Sequence, residues 1–317
     1  MKFPPLDLTR VSTYPLAQRK SKVAAAVLGQ PWRPGATLRD FLRMLPRTFA
    51  AADLLAIARH IAAAVRAQRP VVLGMGAHPL KVGLSPLIID LLERGIVSAI
   101  AMNGAGIIHD FELAYRGETS EDVAAALNDG SFGMARETGE FLNTAIRTGV
   151  TQPGVGIGRA VGEQILNARL PHARLSVLAA GARLEVPMCV HVAVGTDIIH
   201  MHPQADGAAI GEGSLRDFHL LTSVVAQLEG GVFLNLGSAV IIPEVFLKAL
   251  SLARNLGHAV NTFTTVDFDF VRHYRPTVNI VVRPTQNGGR GFQVTGHHEI
   301  LFPLLCAALL EELAILS

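Results

Sequence analysis

Charge is scarce in this sequence, and so are aromatic rings, cysteines and long apolar runs. Asp, Glu, Lys and Arg make up 17% of the 317 residues, and the formal net charge is +2. No long Lys/Arg run occurs, so the electrostatic footprint of a nucleic-acid or membrane-surface binder is absent. Mean hydropathy is +0.35, yet no stretch reaches the roughly 18 uncharged apolar residues that a membrane span needs. The nearest candidate, residues 300–310, is short and runs into Glu311 and Glu312. The first residues, with Asp7, Arg10, Arg19 and Lys20 among prolines, lack the apolar block of a signal peptide. The two cysteines, Cys189 and Cys306, lie in apolar segments and are expected as buried thiols of a reducing, cytoplasmic compartment.

What is present is aliphatic. Half the residues are hydrophobic and 6% are aromatic, with much Ala, Val, Leu and Gly. That composition suits a parallel sheet covered by helices. The expected class is α/β: a doubly wound, mostly parallel sheet in one Rossmann-type domain, residues 35–317. Residues 1–34 are polar, proline-bearing and weakly periodic, and read as an arm that packs on the domain or on a neighbouring subunit.

The stretch from Pro70 to Glu112 organises the chain. Val71-Val72-Leu73 leads into Gly74-Met75-Gly76-Ala77-His78, an apolar helix, a second apolar strand and Asn103-Gly104-Ala105-Gly106. This is a βαβ unit with small-residue loops at two neighbouring strand ends. Further strands are expected at 187–195, 232–236 and 259–264, with a terminal pair at 278–282 and 293–295. Helical spacing covers 38–45, 52–65, 175–182, 218–228, 243–255 and 300–313. Ser120 opens a further helix as its cap. Gly154-Val155-Gly156-Ile157-Gly158 looks like a dinucleotide fingerprint, but Pro153 and polar residues stand where a fingerprint needs a strand. A turn before a helix is the expected role.

Polar and glycine residues recur after each expected strand, and convergence of strand ends on one crevice marks a ligand site. These residues also carry a resemblance. Glu212-Gly213-Ser214-Leu215-Arg216-Asp217 resembles an Asp-Gly-Ser-Leu-Gly-Asp motif, and Asn103-Gly104-Ala105-Gly106 a Thr-Ala-Gly-Gly turn. Leu236-Gly237-Ser238-Ala239-Val240 resembles Leu-Gly-Gly-Gly-Val, and Thr264-Thr265-Val266-Asp267-Phe268-Asp269 resembles Thr-Ala-Gln-Glu-Phe-Asp. Ile300-Leu301-Phe302-Pro303-Leu304-Leu305 resembles Leu-Val-Phe-Pro-Leu-Leu. In this order, from Val71 to the C-terminus, they are similar to the deoxyhypusine synthase family of NAD-dependent aminobutyl transferases. The resemblance implies a homotetramer with sites at subunit contacts. It also implies an NAD pocket formed by His78, Lys81, Asn103, Gly104, Gly106, Gly237, Ser238, Asp269 and His297, with Glu212 and Asp217 near cofactor and substrate.

One departure matters. The family's catalytic lysine follows Glu-x-x-x-Trp-Gly after an Arg-Pro. Here Arg275-Pro276 is followed by a segment that puts Val278, Val282 and Pro284 at the acid, tryptophan and lysine positions. Proline supplies no amine nucleophile, so deoxyhypusine formation is not expected. The expectation is an NAD-dependent, transferase- or oxidoreductase-like enzyme for a different small polar substrate. His109, His200, His202, Asp217 and His297 are its catalytic candidates.

The histidines leave alternatives open. His200-Met201-His202, with Asp197, Asp206 and Glu299, has residue types that hold Zn²⁺ or Fe²⁺ in a hydrolase or lyase. The same residues serve acid/base work near neutral pH, or bond loop backbone. Lys81 reads equally as a phosphate contact, a Schiff-base amine or a solvated loop residue. A non-catalytic ligand-binding homologue is the remaining alternative.

Overall fold

The computed structural model describes residues 2–315. The chain begins with an arm of three 3-10 turns, Leu8–Arg10, Leu16–Gln18 and Ala25–Val27. Then come α1 (Leu38–Met44), α2 (Phe49–Arg66), β1 (Val71–Met75), α3 (His78–Lys81), α4 (Ser85–Glu93) and β2 (Ala99–Asn103). From β2 the chain enters α5 (Gly104–Arg116), α6 (Val123–Ala126), α7 (Arg136–Gly149), α8 (Ile157–Asn167) and α9 (Val177–Arg183), then β3 (Met188–His191). The second half runs α10 (Gly207–Val225), β4 (Val232–Leu236), α11 (Ile241–Asn255), β5 (Thr264–Asp269), α12 (Tyr274–Pro276), a π-helical turn (Thr277–Val282), β6 (Arg290–Thr295) and α13 (His298–Leu313).

The six strands lie in the order β3-β2-β1-β4-β5-β6, and every pairing is parallel. Parallel neighbours need crossovers, so both faces of the sheet are covered by helices. Leu73, Met75, Ile100, Val190, Leu234 and Phe268 face a core shared with α2, α4, α5, α9 and α13. Val72, Ala101, Cys189 and Phe233 face the other core, with α10, α11 and Ile280 of the π-helical turn. Phe233 and Phe246 stack there with ring centroids 3.9 Å apart. Each fully buried side chain of this size stabilises the fold by about 1.5–3 kcal/mol. Both cysteines are free and buried. No helix among the described residues is long and apolar enough to cross a membrane.

Three sequence expectations need correction. The strand expected at 259–264 begins where it was expected to end. Glu229 accepts the backbone N–H groups of Asn261 and Thr262, which holds that segment as a loop, and β5 follows from Thr264. The strand expected at 278–282 is the π-helical turn, because β5 and β6 are parallel and the chain must cross back between them. Asn103-Gly104-Ala105-Gly106 is no loop: α5 starts at Gly104, directly off β2. The glycine run at 154–158 turns into α8 as expected. A Cβ on Gly158 would lie 1.9 Å from the Met188 carbonyl oxygen, so that glycine serves helix-to-strand packing.

Asp110 ties α5 to α9. Its buried carboxylate accepts from the Ser176 hydroxyl, the Val177 N–H at 2.7 Å and the Leu178 N–H at 3.2 Å. Burial pushes its pKa up to about 6, against the pull of those donors. Asp110→Ala leaves the donors unpaired and is expected to cost about 2–3 kcal/mol in urea unfolding. A loss under about 0.5 kcal/mol would remove Asp110 as the tie.

Candidate active site at the carboxyl edge

Because all six strands are parallel, their carboxyl ends share one edge, and the order reverses between β1 and β4. Gly76 follows β1 and Gly237 follows β4. The Gly76 N–H donates to the Leu236 carbonyl at 3.1 Å, and a Cβ on Gly76 would stand 2.6 Å from the Gly237 oxygen. Gly237 has φ +70°, and a Cβ there would strike the His298 ring at 2.5 Å. Only glycine accommodates this meeting of two strand exits.

On the α5 side of the edge lies a hollow of about 220 Å³, lined in part by Lys81, His109, Glu112, Glu121, Phe132 and Asp197. His109 belongs to a relay. The Thr119 hydroxyl donates to Glu112 Oε2 at 2.5 Å, so its oxygen is left to accept from His109 Nδ1–H at 2.7 Å. The single hydroxyl proton fixes the tautomer: Nδ1 carries hydrogen and Nε2 is bare. Burial and the nearby Lys81 ammonium push the His109 pKa down to about 4, so the ring is neutral near pH 7. Glu112 also accepts from Thr138 at 3.3 Å.

Across the sheet from α5, His191, Ser214, Phe218 and Ile241 line a groove between α10 and α11. Asn103 and His191 are register partners at the ends of β2 and β3. Strand alternation puts both on the face of Ala101 and Cys189, towards that groove. Asn103 Oδ1 and His191 Nε2 are buried without a hydrogen-bond partner among the described residues. Burial holds His191 neutral by lowering its pKa to about 4.

Past the switch point, the exits of β4, β5 and β6 carry rings. His78 lies edge-on to His298 at 5.3 Å and tilted to Phe270 at 5.5 Å, and Phe270 stacks on His297 at 6.1 Å. His298 Nε2–H donates to the Phe268 carbonyl, leaving Nδ1 buried and unpartnered among the described residues. Asp269 accepts from the Phe270 N–H at 2.8 Å and lies 3.8 Å from His273 Nε2.

The expected residues therefore fall into groups. Lys81 and His109 meet at the hollow. Asn103, at the end of β2, faces the groove across the sheet with His191 instead. His78, Gly237, Asp269 and His297 follow β1, β4, β5 and β6, so they lie from one to four strand spacings from β2, the furthest about 19 Å along the same edge. Ser238 is buried: its hydroxyl accepts from the Ile242 N–H and caps α11. What approaches Gly104 is Asp197, whose Oδ2 stands 2.0 Å from a built Cβ; what approaches Gly106 is Met102.

Other expected residues are held away from the edge. Asp217 is buried and accepts from the Gly158 and Val190 N–H groups, clasping α8 to β3. Glu212 pairs with Arg216, which itself bonds carbonyls 150, 152 and 155. His202 Nε2 bonds the Gly133 carbonyl, and its ring fills the space over Gly139. His200 accepts the Gly195 and Asp197 N–H groups through Nδ1, so it turns into its own loop. The two imidazoles thus bond separate stretches of backbone, and His200 Nε2 is left buried without a partner among the described residues. Among the described residues no group of three or more His, Cys, Asp or Glu is placed to hold a metal ion. This corrects the expected Zn²⁺ or Fe²⁺ alternative.

Sequence reasoning missed Thr119, which lies ten residues from His109 in an irregular loop and obeys no periodicity. His109 and Glu112 were legible as an i, i+3 pair once α5 was drawn as a helix.

No family model matches the sequence, and no curated protein matches it. Solved structures do share the fold. A candidate deoxyhypusine synthase from Entamoeba histolytica aligns with a TM-score of 0.52 over 88% of this chain and 95% of that one, at 13% identity. A candidate LOR/SDH protein from Methanococcus maripaludis S2 aligns at 0.52 over 83% and 70%, at 14% identity. ArgZ, an arginine dihydrolase from the ornithine–ammonia cycle in cyanobacteria, aligns at 0.52 over 83% of this chain, at 16% identity. AgrE in its ternary complex with ornithine and NAD+ aligns at 0.51 over 84%, at 15% identity. The chain spans 33% of the length of each of these last two structures. The fold is the doubly wound parallel α/β architecture of deoxyhypusine synthase-like structures.

The relay sets a measurable titration. A histidine held neutral while its unfolded counterpart takes a proton contributes stability that is full above 6.5 and lost as pH falls towards about 4. NMR should place the His109 midpoint near 4, and Lys81→Met should raise it by removing the repelling charge. A midpoint at the ordinary value would break the account of the relay.

Proposed function

We propose that this chain is an NAD-binding enzyme that acts on a small polar substrate and moves a proton at His109. One observation carries the reading: a neutral histidine, oriented by Thr119 and Glu112, faces a hollow on the carboxyl edge beside the β1/β4 switch point. Ligands of open α/β sheets bind at that place. AgrE, a structure of similar fold, holds NAD+ with ornithine, which supports a dinucleotide and a small polar molecule as the ligands here.

The residues at the edge fit a dinucleotide. Gly76 and Gly237 let the exits of β1 and β4 meet closely, and Asn103 Oδ1, His191 Nε2 and His298 Nδ1 are buried polar atoms without partners among the described residues. Asp269 offers a carboxylate for ribose hydroxyls. Asp197 already lies over the start of α5, where a helix N-terminus attracts an anion, so phosphates are assigned to the Gly76–Gly237 side. A bound nicotinamide supplies a hydride acceptor or donor. The chain's own residues orient the substrate and hold its proton: bare His109 Nε2 accepts it, and Thr119 and Glu112 stabilise the imidazolium through Nδ1–H. Lys81 favours anionic groups of the substrate in the hollow.

Aminobutyl transfer through a lysine is not part of this reading. No lysine follows Lys248 in the sequence, so no shift of register brings one to the 277–284 segment. Lys248 pairs with Glu244 on α11.

NAD+ at a hundredfold excess over Kd should stabilise the protein by about 2.7 kcal/mol, read as a rise in Tm. Asp269→Ala should abolish that rise, and His109→Asn should keep it while removing turnover. If neither NAD+ nor NADH binds in calorimetry, the reading fails. If Asp269→Ala retains the full rise, Asp269 leaves the pocket.

A further inference from the structure

The N-terminal arm carries a surface that its own chain leaves uncovered. Residues 2–26 are exposed throughout. Phe3, Leu6, Leu8, Tyr14 and Leu16 are between 64% and 87% exposed. The bonds that fasten the arm to the body start later, from Arg47 N–H to the Val27 carbonyl and from Gln30 N–H to the Met44 carbonyl. Trp32 then packs edge-on to Phe41. A run of large apolar side chains in water marks a contact surface. The arm is also basic: residues 2–34 hold six Lys or Arg and one Asp.

A second segment has the opposite charge and the same exposed apolar character. Residues 118–140 hold six Asp or Glu and one Arg. Val123, Leu127 and Met134 on this flap are 46%, 65% and 48% exposed. Its fold is fixed locally, with Asp122 capping α6 and Glu121 accepting the Gly133 N–H, so it presents a set shape. Among the described residues, no hydrogen bond or ion pair joins the arm of the same chain to it.

We propose that the arm of one copy lies along the flap of a second copy, and that two copies exchange arms reciprocally in a closed dimer. Charge of opposite sign selects the partner and the apolar side chains supply the affinity. Reciprocal exchange makes the contact two-fold and self-limiting. Twenty-five extended residues reach up to about 80 Å, enough to cross to a neighbouring copy. The inference stands apart from the cofactor reading, and either survives failure of the other.

Light scattering on eluting full-length protein, from about 1 to 100 µM, tests it. The unaltered chain should be a dimer that dissociates as salt rises. Removal of residues 2–26, which are exposed throughout, should raise the dimer Kd at least about tenfold. Arg19→Glu, Lys20→Glu and Lys22→Glu together should do the same, as should Glu118→Lys with Glu140→Lys. Combining the two reversed sets should restore the dimer to within about threefold of its original Kd. A monomer at every concentration overturns the proposal. So does a dimer indifferent to arm removal, or reversed sets that fail to rescue each other in variants whose circular dichroism is unchanged.

Discussion

The meeting of Gly76 with the Gly237 carbonyl governs the rest of the molecule. β1 and β4 are neighbours in space but are separated by more than 150 residues, and their exits diverge from this contact. The elements from α3 to α10 lie between them in the chain, while α11 and α13, which follow β4, pack back over β1, β2 and β3 as well. A side chain at either glycine would force the exits apart, because the atoms it meets are backbone or a buried ring. The crevice of the edge therefore follows from a steric fact about two residues. The polar groups of both halves of the sheet are brought to the same edge.

The sequence made the first half of this arrangement legible. The apolar blocks around Leu73, Ile100 and Leu234 are continuous, as strands covered on both faces must be. β5 was harder because its pattern alternates. Val266 and Phe268 face one core, while Thr265, Asp267 and Asp269 face the other way and are equally buried. Asp267 is tolerated there because Asn235 donates to it at 2.8 Å and Gln293 at 3.0 Å. Those partners lie on β4 and β6, and their pairing follows from sheet order rather than from local sequence. Ala259-Val260 looked like the better strand on hydrophobicity alone. Tertiary hydrogen bonds overrode that preference, as they overrode the β-branched run at 278–282.

Site residues divide along the same line. His109, Lys81, Asn103, Gly237 and Asp269 were found because they follow strands, and the parallel order returns them to one edge. His200, His202, Asp217 and Glu212 also follow a strand, yet they serve packing. The difference lies in the connection. After β2 the chain turns straight into a helix, so side chains on its first turns stay at the edge. After β3 it makes a loop from Gly195 to Asp206, whose backbone donors and acceptors need partners, and the imidazoles supply them. The loop's backbone thus takes up His200 Nδ1 and His202 Nε2, while His200 Nε2 and Asp197 Oδ2 stay buried without a partner among the described residues.

The same argument explains where chemistry is to be sought in this version of the fold. The segment that corresponds to the family's lysine region is consumed by structure. Thr277 accepts from Gln293, Asn279 donates to Glu244, and the Pro284 carbonyl receives Arg254. Each of these bonds fastens the π-helical turn to α11 or β6, and none leaves a nucleophile facing the edge. Buried polar atoms without a hydrogen-bond partner among the described residues include ones at the exits of β2 and β3 and at the start of α13. The protonation state and tautomer of His109 are both set, by burial and Lys81 on one side and by Thr119 on the other. Orientation with a fixed tautomer is what separates a proton acceptor from a histidine that fills space.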